Sequence, residues 1–451
     1  MPRGNLSKFH SGVLESPPKG NAHSEPKGLF VEYLGQISAF LPASFFFTQK
    51  RAKSSFVPRV HLFEPLFMQG PEISTPCRRW PPTHPERELL TPPHGSATLL
   101  WLHTQSRTRP QARLRRIHMA RIIGNLDAND DFTHPLGEES NFNESMYFNF
   151  FDPKKSTGGF VRLGNRANEG RAEMTLCLFL PDGRVLFNFK RAQIDNNDAF
   201  DAGGMLFEVI EPSEILRTVY EGQAIELTNA RELADPTSAF RESPRKKISL
   251  DLEHVACGPM YGSSHSKAEE KRDAAQQFGK AHYEQHMSIR GRIEIDEEVI
   301  EIEGLGLRDH SWGPRHWQAI HGYEWLTINL GPDFSAMVSV IRRDPESQKS
   351  AGVVIRNGEF QLIKDVTIET EYEENGLYHK NLKVDIELED GSDLQIHGEV
   401  ENFIPLRNRR DHLQTHIGEG MTRWTCEDRV GYGLSEYLKQ VDADPSSPDQ
   451  T

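Results

Sequence analysis

Apolar and polar residues alternate with a period of two along most of the chain beyond residue 140. In VDIELEDGSDLQIHG (384–398), aliphatic residues alternate with acidic ones up to Asp390-Gly391, and apolar residues return after it. This alternation is typical of a β-strand with one buried and one exposed face. Asp-Gly between two such runs favours a tight turn, because glycine adopts positive φ angles without steric cost. We therefore predict a β-hairpin at 384–398.

Similar signals recur along the chain. MTLCLFLPDGRVLFNFK (174–190) has two apolar runs joined by Pro-Asp-Gly, and VVIRNGEFQLI (353–363) has two runs joined by Asn-Gly. SIRGRIEIDEEVIEIEG (288–304) predicts a fourth hairpin, and VTIETEYEENG (366–376) predicts another alternating strand. Many short strands separated by turn signals indicate an all-β fold, either barrels or strongly curved sandwiches.

One segment interrupts the β pattern. SKAEEKRDAAQQFGKAHYEQH (266–286) begins with a helical composition, and we predict that it is a helical linker. It separates a first β-domain at 130–265 from a second at 287–440, each the size of one antiparallel barrel. Residues 441–451 are predicted to be a disordered tail.

The first 118 residues differ in composition from the rest. They contain 15 of the 28 prolines and no aspartate, and their basic residues exceed their acidic residues by nine, whereas the remainder has a balance of −23. Paired prolines interrupt every candidate helix in this segment. We predict that residues 1–118 are a disordered extension, or upstream sequence translated from a misassigned start, with the functional protein beginning at Met119.

Composition excludes several classes of protein. The four cysteines are scattered without a Cys-x-x-Cys pair, which argues against a zinc ribbon, a redox dithiol or a disulfide scaffold. The acidic main segment argues against nucleic acid, since phosphates need a basic surface. Phosphate-loop and dinucleotide-binding motifs are absent from the sequence. We find no export signal and no membrane-spanning segment in the sequence, and we expect a cytoplasmic protein.

A dense polar and aromatic cluster occupies GLRDHSWGPRHWQAIHGYEW (306–325), with three histidines and three tryptophans. In an extended strand Arg308, His310 and Trp312 point to one side, and Asp309 and Ser311 point to the other. Upstream, HYEQHMSIRGR (282–292) has a row of alternate polar residues on one side of the chain: His282, Glu284, His286, Ser288, Arg290 and Arg292.

Three interpretations of this cluster are open. Asp309 and His310 can exchange protons with a substrate inside an aromatic-walled cavity, because histidine titrates near neutrality and burial tunes a carboxyl group. Alternatively, His310, His316 and His321, with His282 and His286, form a metal site, although their spacing is irregular. Finally, the cluster is structural, with its polar groups bonded to the backbone and its tryptophans packed at the end of a barrel.

The segment GLRDHSWGPRHW resembles the characteristic corner of a bacterial family of two-domain, lipocalin-like proteins. That family is distantly similar to the carotenoid 1,2-hydratases (hydroxyneurosporene synthases) and to fungal kievitone hydratase. The specific positions are Asp309, His310, Trp312 and Gly313. GYGLSEYL (431–438) is similar to the closing strand of the family and contains Glu436. In architecture the resemblance covers residues 130–440.

The resemblance implies two calycin-like barrels with a hydrophobic pocket near their junction. In the hydratases water adds across an isolated carbon–carbon double bond, which requires a general acid, an aromatic wall and a positioned water. The expected catalytic residues are Asp309 as the acid, His310 as the group that holds the water, and Glu436 as a further acid. The expected substrate-binding residues are Arg308, Trp312, Trp317, His321, Tyr323, Trp325, His282, His286 and Arg290.

Two functions therefore follow as hypotheses. One is a cofactor-free, metal-free hydratase, lyase or isomerase that acts on a hydrophobic molecule of terpenoid, steroid or lipid type. The other is a non-catalytic, lipocalin-like carrier of the same kind of ligand. The sequence names neither the substrate nor the oligomeric state.

Overall fold

Strands form most of the described part of the protein. The structure is a computed structural model that describes residues 122–265, 271, 278–410 and 413–441. The predicted extension at 1–118 lies outside the described residues, as does the predicted tail at 441–451 apart from Val441, which ends a strand. Helical elements within the described ranges are short: helix α1 (Pro236–Glu242) and 3₁₀ turns at Ala128–Asp131, Ala167–Glu169, Ala230–Ala234 and Trp317–Ala319.

The first sheet contains twelve strands. In chain order they are β1 (Ile122–Asn125), β2 (Phe142–Asp152), β3 (Thr157–Arg166), β4 (Arg171–Phe179), β5 (Val185–Gln193), β6 (Asp201–Ala202), β7 (Met205–Glu211), β8 (Ile215–Leu227), β9 (Arg245–Ala256), β10 (Met260–Ser263), β11 (Ala281–Ile295) and β12 (Glu298–Pro314). Because β9 pairs with both β8 and β11, the pairing returns on itself through β2-β3-β4-β5-β8-β9-β11-β12.

Eight further strands form a closed antiparallel barrel, here called the second barrel. They are β13 (Gly322–Gly331), β14 (Phe334–Arg342), β15 (Lys349–Arg356), β16 (Glu359–Tyr372), β17 (His379–Leu388), β18 (Asp393–Arg410), β19 (Leu413–Cys426) and β20 (Arg429–Val441). The predicted all-β fold is therefore confirmed.

Each of these two β-structures has its own apolar core. Met146, Phe148 and Phe150 of β2 are in the core of the first sheet, and Leu326 and Ile328 of β13 are in the core of the second barrel. The alternate residues of β2 are buried as well, so the whole strand is covered on both faces. This double burial follows from the second barrel, which packs against the outer face of the first sheet.

The contact between these outer faces is aromatic. Phe151 stacks on Tyr432 with ring centroids 4.1 Å apart, and Tyr147 meets the edge of Trp325 at 5.5 Å. Burial of a large apolar side chain stabilises a fold by roughly 1.5–3 kcal/mol. These rings therefore contribute substantially to holding the second barrel against the first sheet.

The predicted hairpins are present. β4–β5, β11–β12, β15–β16 and β17–β18 are antiparallel pairs at the predicted positions. At the β15–β16 turn, Asn357 and Gly358 have φ angles of 54° and 81°. A two-residue hairpin turn of this kind needs positive φ at both central residues, which Asn-Gly supplies at low cost.

The hairpin β11–β12 requires a correction to the predicted division of the chain. β12 pairs with β2, and β11 pairs with β9, so both strands belong to the first sheet. The sequence had assigned residues 287–314 to a second domain and 281–286 to a linker helix, whereas the change from one β-structure to the other falls between Pro314 and Gly322. Most of the predicted linker helix lies outside the described residues.

The helices of the described residues are too short or too polar to cross a membrane.

Candidate functional site

A cavity of about 1150 Å³ lies between the outer face of the first sheet and the outer face of the second barrel. Phe160 and Phe187 from the first sheet and Met337 and Leu406 from the second barrel give it apolar walls. The volume is sufficient for a molecule larger than a typical drug-sized ligand. The cavity is therefore a candidate ligand-binding site.

Strand register brings polar groups into one row of the cavity wall. Glu284 of β11 is directly opposite Asp309 of β12, which is opposite Tyr147 of β2, which in turn is opposite Arg162 of β3. Residues opposite one another on adjacent strands point to the same face of a sheet. All four side chains therefore line the cavity together.

His282, Glu284 and Asp309 form one group, here called the cavity cluster. The Nε2 atom of His282 is in hydrogen-bond contact with Oδ2 of Asp309 and lies 3.4 Å from Oε1 of Glu284. Trp325 donates its indole N–H to Oε1 of Glu284 at 2.9 Å, and Tyr261 donates its hydroxyl to Oε2 at 3.1 Å. Glu284 is 1% exposed, whereas the His282 ring is 44% exposed. His282 is thus the accessible member of the cluster.

The cavity cluster separates the proton affinities of its two carboxyl groups. Burial, reinforced by the charge of Asp309, raises the pKa of Glu284 to about 7. Burial also opposes ionisation of Asp309, but the charge and hydrogen bond of His282 and the charge of Arg315 hold the pKa of Asp309 below its ordinary value. Burial lowers the pKa of His282, and Asp309 outweighs this effect, so that the pKa of His282 is raised overall.

A second acidic group comes from the second barrel. Glu419 and Glu436 are directly opposite each other on β19 and β20, and Tyr323 donates its hydroxyl to Glu436. Burial and the charge of Glu436 raise the pKa of Glu419 well above its ordinary value. The pKa of Glu436 is raised by burial and by the charge of Asp309. Two adjacent buried carboxyl groups share a proton more readily than both ionise.

Arg162 and Arg315 are among the arginines that line the cavity. The guanidinium of Arg315 lies 4.9 Å from the ring centroid of Phe278 and 5.5 Å from that of Trp317. The guanidinium of Arg162 lies 5.9 Å from the ring centroid of Trp317, and its Nη2 atom is buried without a hydrogen-bond partner. A Cβ atom at position 164 would lie 2.6 Å from this Nη2, so Gly164 leaves the space that the guanidinium occupies.

On the opposite face of the β11–β12 hairpin, Tyr283, Arg308 and His310 contact Asp131 of the first 3₁₀ turn and Glu144 of β2, and these five residues are here called the sealed network. Arg308 donates to Asp131 at 2.5 Å and to the Tyr283 hydroxyl at 2.9 Å. His310 contacts the Tyr283 hydroxyl at 3.1 Å and Glu144 at 3.0 Å. The side chains of Arg308, Asp131, His310 and Glu144 are fully buried.

His134 and Trp312 cover the sealed network. The two rings are stacked with centroids 3.7 Å apart, and His134 also bonds Glu144 at 2.7 Å. The hydrogen bonds from His134 and His310 overcome the effect of burial and lower the pKa of Glu144 to about 2. The network thus holds its charges in place, away from the cavity.

The structure brings six of the twelve sequence-predicted site residues to the cavity: Asp309, Glu436, Trp317, Tyr323, Trp325 and His282. The other six lie elsewhere: His310, Arg308, Trp312, His321, His286 and Arg290.

Three of these six lie outside the sealed network and its cover. His286 is buried and contacts Oδ1 of Asn329 at 3.0 Å. His321 is exposed and pairs through its backbone. Arg290 is an exposed residue paired with Glu253.

Sequence reasoning missed Glu284, Glu419, Arg162, Arg315 and Tyr147 as site residues. The position of Glu284 was predictable from the sequence, because alternate residues of a strand point to the same face and Glu284 follows His282 by two residues. No local sequence pattern indicated Glu419 or Arg162, since only the long-range pairing of strands brings them to the cavity.

Two groups of side chains have the residue types of a metal site. The ligand atoms of His134, Glu144 and His310, and those of His282, Glu284 and Asp309, lie within 4.8 Å of one another. Direct hydrogen bonds already link members of each group: His134 and His310 to Glu144 in the first, and His282 to Asp309 in the second. Hydrogen bonds within the protein are therefore sufficient to link these members of each group.

The fold and the site define an all-β protein with a ligand-sized cavity between a sheet and a barrel. A family model for a domain of unknown function, DUF7064, matches residues 127–441. The chain therefore belongs to this family. A search of curated proteins gave no match.

Several solved structures are similar at low identity. An AttH, provisionally so designated, from Nitrosomonas europaea has 16% identity and a TM-score of 0.48 over 70% of this chain and 98% of its own. CghA has 10% identity and a TM-score of 0.43 over 70% and 95%. Kievitone hydratase from Nectria haematococca has 9% identity and a TM-score of 0.42 over 71% and 97%. Likeness at this level transfers no activity.

Proposed function

We propose that the protein is an enzyme that uses acid–base chemistry, without a cofactor, to hydrate, eliminate from or isomerise a hydrophobic small molecule. The observation that carries this proposal is Glu284, a buried carboxyl group with a pKa of about 7 beside a cavity. A general acid or base works best when its pKa lies near the working pH. An ordinary glutamate is fully ionised there and is a poor acid.

His282 is the group through which this proton reaches a ligand. Its Nε2 atom is bonded to Asp309 and lies 3.4 Å from Oε1 of Glu284, and its ring has free surface in the cavity. Asp309 is then a positioning residue that stabilises the imidazolium form. This differs from the sequence-based hypothesis, in which Asp309 is the acid, because its pKa is lowered.

The Glu419–Glu436 pair supplies the complementary base. In a hydration, His282 gives a proton to one alkene carbon while the oxygen of water bonds to the other. The carboxylate of the pair takes the proton that water loses. In an isomerisation, the pair removes a proton from one carbon and His282 delivers one to another. Trp325 lines the cavity, and its electron-rich ring tolerates developing positive charge.

Each of these reactions exchanges protons between solvent and carbon, and this gives a test that needs no known substrate. The full-length protein is incubated in deuterated water with a small-molecule extract of its own cells. We expect at least one metabolite to gain carbon-bound deuterium with the wild-type protein. Glu284→Gln should abolish the gain, because the amide cannot supply the proton. Glu253→Gln, a change on the surface, is the matched control.

A carrier remains the second candidate, because the apolar walls formed by Phe160, Phe187 and Met337 would hold a ligand without chemistry. A carrier predicts a ligand that co-purifies with the protein and gains no deuterium. If no metabolite gains deuterium in any extract while a ligand co-purifies, the enzyme proposal is wrong.

A further inference from the structure

We propose that the cavity recognises an anionic head group, a carboxylate on an otherwise apolar molecule, and that Arg162 and Arg315 form its binding subsite. The inference rests on the proposed function, because this hydrophobic acid would be the substrate of the proposed enzyme. It narrows the substrate class from hydrophobic molecules in general to hydrophobic acids.

Arg315 is the principal anchor. Within the described residues its guanidinium makes no hydrogen bond and no ion pair, and the rings of Phe278 and Trp317 lie beside it. Asp309 is the acidic group that interacts with it, and Asp309 is already bonded to His282. Buried cations are normally paired. A cation that lines a cavity with its donors unused suits an incoming anion.

Arg162 provides the second cation. Its nearest carboxylate, that of Glu173, lies 3.7 Å from Nη1, beyond hydrogen-bond distance, and Nη2 has no partner. Arg162 and Arg315 also repel each other, and together with burial this lowers the pKa of Arg315. A carboxylate between them would accept hydrogen bonds from both guanidinium groups and relieve the repulsion.

The charge of the whole lining agrees with this assignment. The chain has a formal net charge of −14, yet eight lysines and arginines line the cavity against six aspartates and glutamates. Three of the six acids, Glu284, Glu419 and Glu436, have raised pKa values and hold protons more readily. The cavity is therefore a positive region in a negative protein, and such a region attracts anions.

Two fluorescent probes test the inference without a known substrate. Anilinonaphthalene sulfonate and N-phenylnaphthylamine share the same apolar rings, and only the first carries an anionic group. We expect the full-length protein to bind the sulfonate at least about tenfold more tightly, because charge-assisted hydrogen bonds add to equal apolar contacts. Attraction to the net charge of the protein cannot give this result, because that charge is negative. Decanoate should displace the sulfonate, whereas decanol should displace it poorly.

Single substitutions locate the subsite. Arg315→Met and Arg162→Met should each weaken sulfonate binding by roughly tenfold and leave N-phenylnaphthylamine binding unchanged. Unchanged binding of the neutral probe also shows that each variant is folded. Arg290→Met, which removes a surface arginine, should alter neither affinity. Equal affinity of the wild-type protein for both probes, or a sulfonate preference that survives the double variant, would overturn the proposal.

These outcomes are independent of catalysis. If Glu284→Gln abolishes deuterium uptake but keeps the preference for the anion, both proposals hold. If the preference holds while no deuterium is incorporated by the wild-type protein, the subsite stands and the protein is a carrier of hydrophobic acids.

Discussion

The cavity cluster and the sealed network, on opposite faces of the β11–β12 hairpin, contain almost the same residue types and differ in what surrounds them. The cavity cluster has a histidine, an aspartate and a glutamate, and the sealed network also has a histidine, an aspartate and a glutamate. In the network the Arg308 and His310 side chains are bonded to buried partners and covered by His134 and Trp312. In the cluster one histidine faces a cavity and one carboxyl group has a pKa near 7.

The difference shows that the kind of residue does not separate a reaction centre from a structural network. Complete hydrogen bonding lowers the pKa of Glu144 to about 2 and fixes its charge. At Glu284 the neighbouring groups offset only part of the cost of burying a charge, so its pKa rises to about 7. The carboxyl group can therefore release or take up a proton near neutral pH. Access to a cavity and unsatisfied charge are the features associated with function.

The largest expected effect compares the two histidines. His282→Asn should reduce the rate of deuterium incorporation by roughly 10²–10⁴, the usual contribution of a positioned acid or base. His310→Asn should leave the rate per folded molecule unchanged, because His310 does not line the cavity. The rate is measured by mass spectrometry and normalised to the folded fraction. Equal losses in both variants would remove the distinction between the two faces.

A comparable effect on stability is expected from the network. Arg308→Met leaves Asp131 buried without its partner, and loss of one member of a buried ion pair costs about 3–5 kcal/mol. Arg290→Met on the surface should cost less than about 1 kcal/mol. Urea unfolding gives both free energies. A cost for Arg308→Met as small as that of the surface change would mean that the network is not structural.

The two buried glutamates should give opposite pH dependence. The pKa of Glu144 falls from 4.5 to about 2 on folding, so its contribution is present above pH 4.5 and is lost as the pH falls towards 2. The pKa of Glu284 rises from 4.5 to about 7, so its contribution is present below pH 4.5 and is lost as the pH rises through 7.

Each shift corresponds to about 3 kcal/mol. Urea midpoints measured across pH should show that Glu284→Gln removes a decline in stability between pH 4.5 and 7. Glu144→Gln should remove a rise between pH 2 and 4.5. Parallel pH profiles for the two variants would contradict the assigned shifts.

The smallest expected effect concerns the turn that carries Asp131. Asp127 caps this 3₁₀ turn by accepting a hydrogen bond from the backbone of Asn129 at 2.9 Å. Asp127→Ala should lower the free energy of unfolding by about 1 kcal/mol, as loss of a cap normally does. Asp182→Ala, in the exposed β4–β5 turn, is a comparison outside the network. If Asp127→Ala lowered the free energy of unfolding more than Arg308→Met does, the turn would stabilise this region more than the Arg308–Asp131 ion pair.

The sequence predicted the local part of the fold well and the long-range part poorly. Alternation and Asn-Gly or Asp-Gly turns identify hairpins, because both signals depend on neighbouring residues. The pairing of β12 with β2 joins Asp309 to Tyr147, and nothing local in either segment indicates it. For that reason the local signals place residues 287–314 in the second domain, whereas the structure pairs them with the first sheet.

Local sequence signals were also insufficient to predict the whole candidate site. The cluster at 306–325 supplied Asp309, Trp317, Tyr323 and Trp325, all of which line the cavity. Strand parity, applied to Arg308, correctly turned that residue away from Asp309. The same rule turns His310 away from Asp309, whereas the resemblance to the hydratases implies that both residues act on one substrate. Arg315 lies in the same cluster, whereas Arg162 and Glu419 reach the site only through tertiary packing.

The position of the cavity, between two independently built walls, has one more consequence. The cavity is lined by both the first sheet and the second barrel, so a molecule that fills it also stabilises the packing of one against the other. Such a molecule raises the melting temperature with the logarithm of its concentration. Heat denaturation in the presence of candidate compounds is therefore a direct assay for the natural ligand, whether or not the protein transforms it.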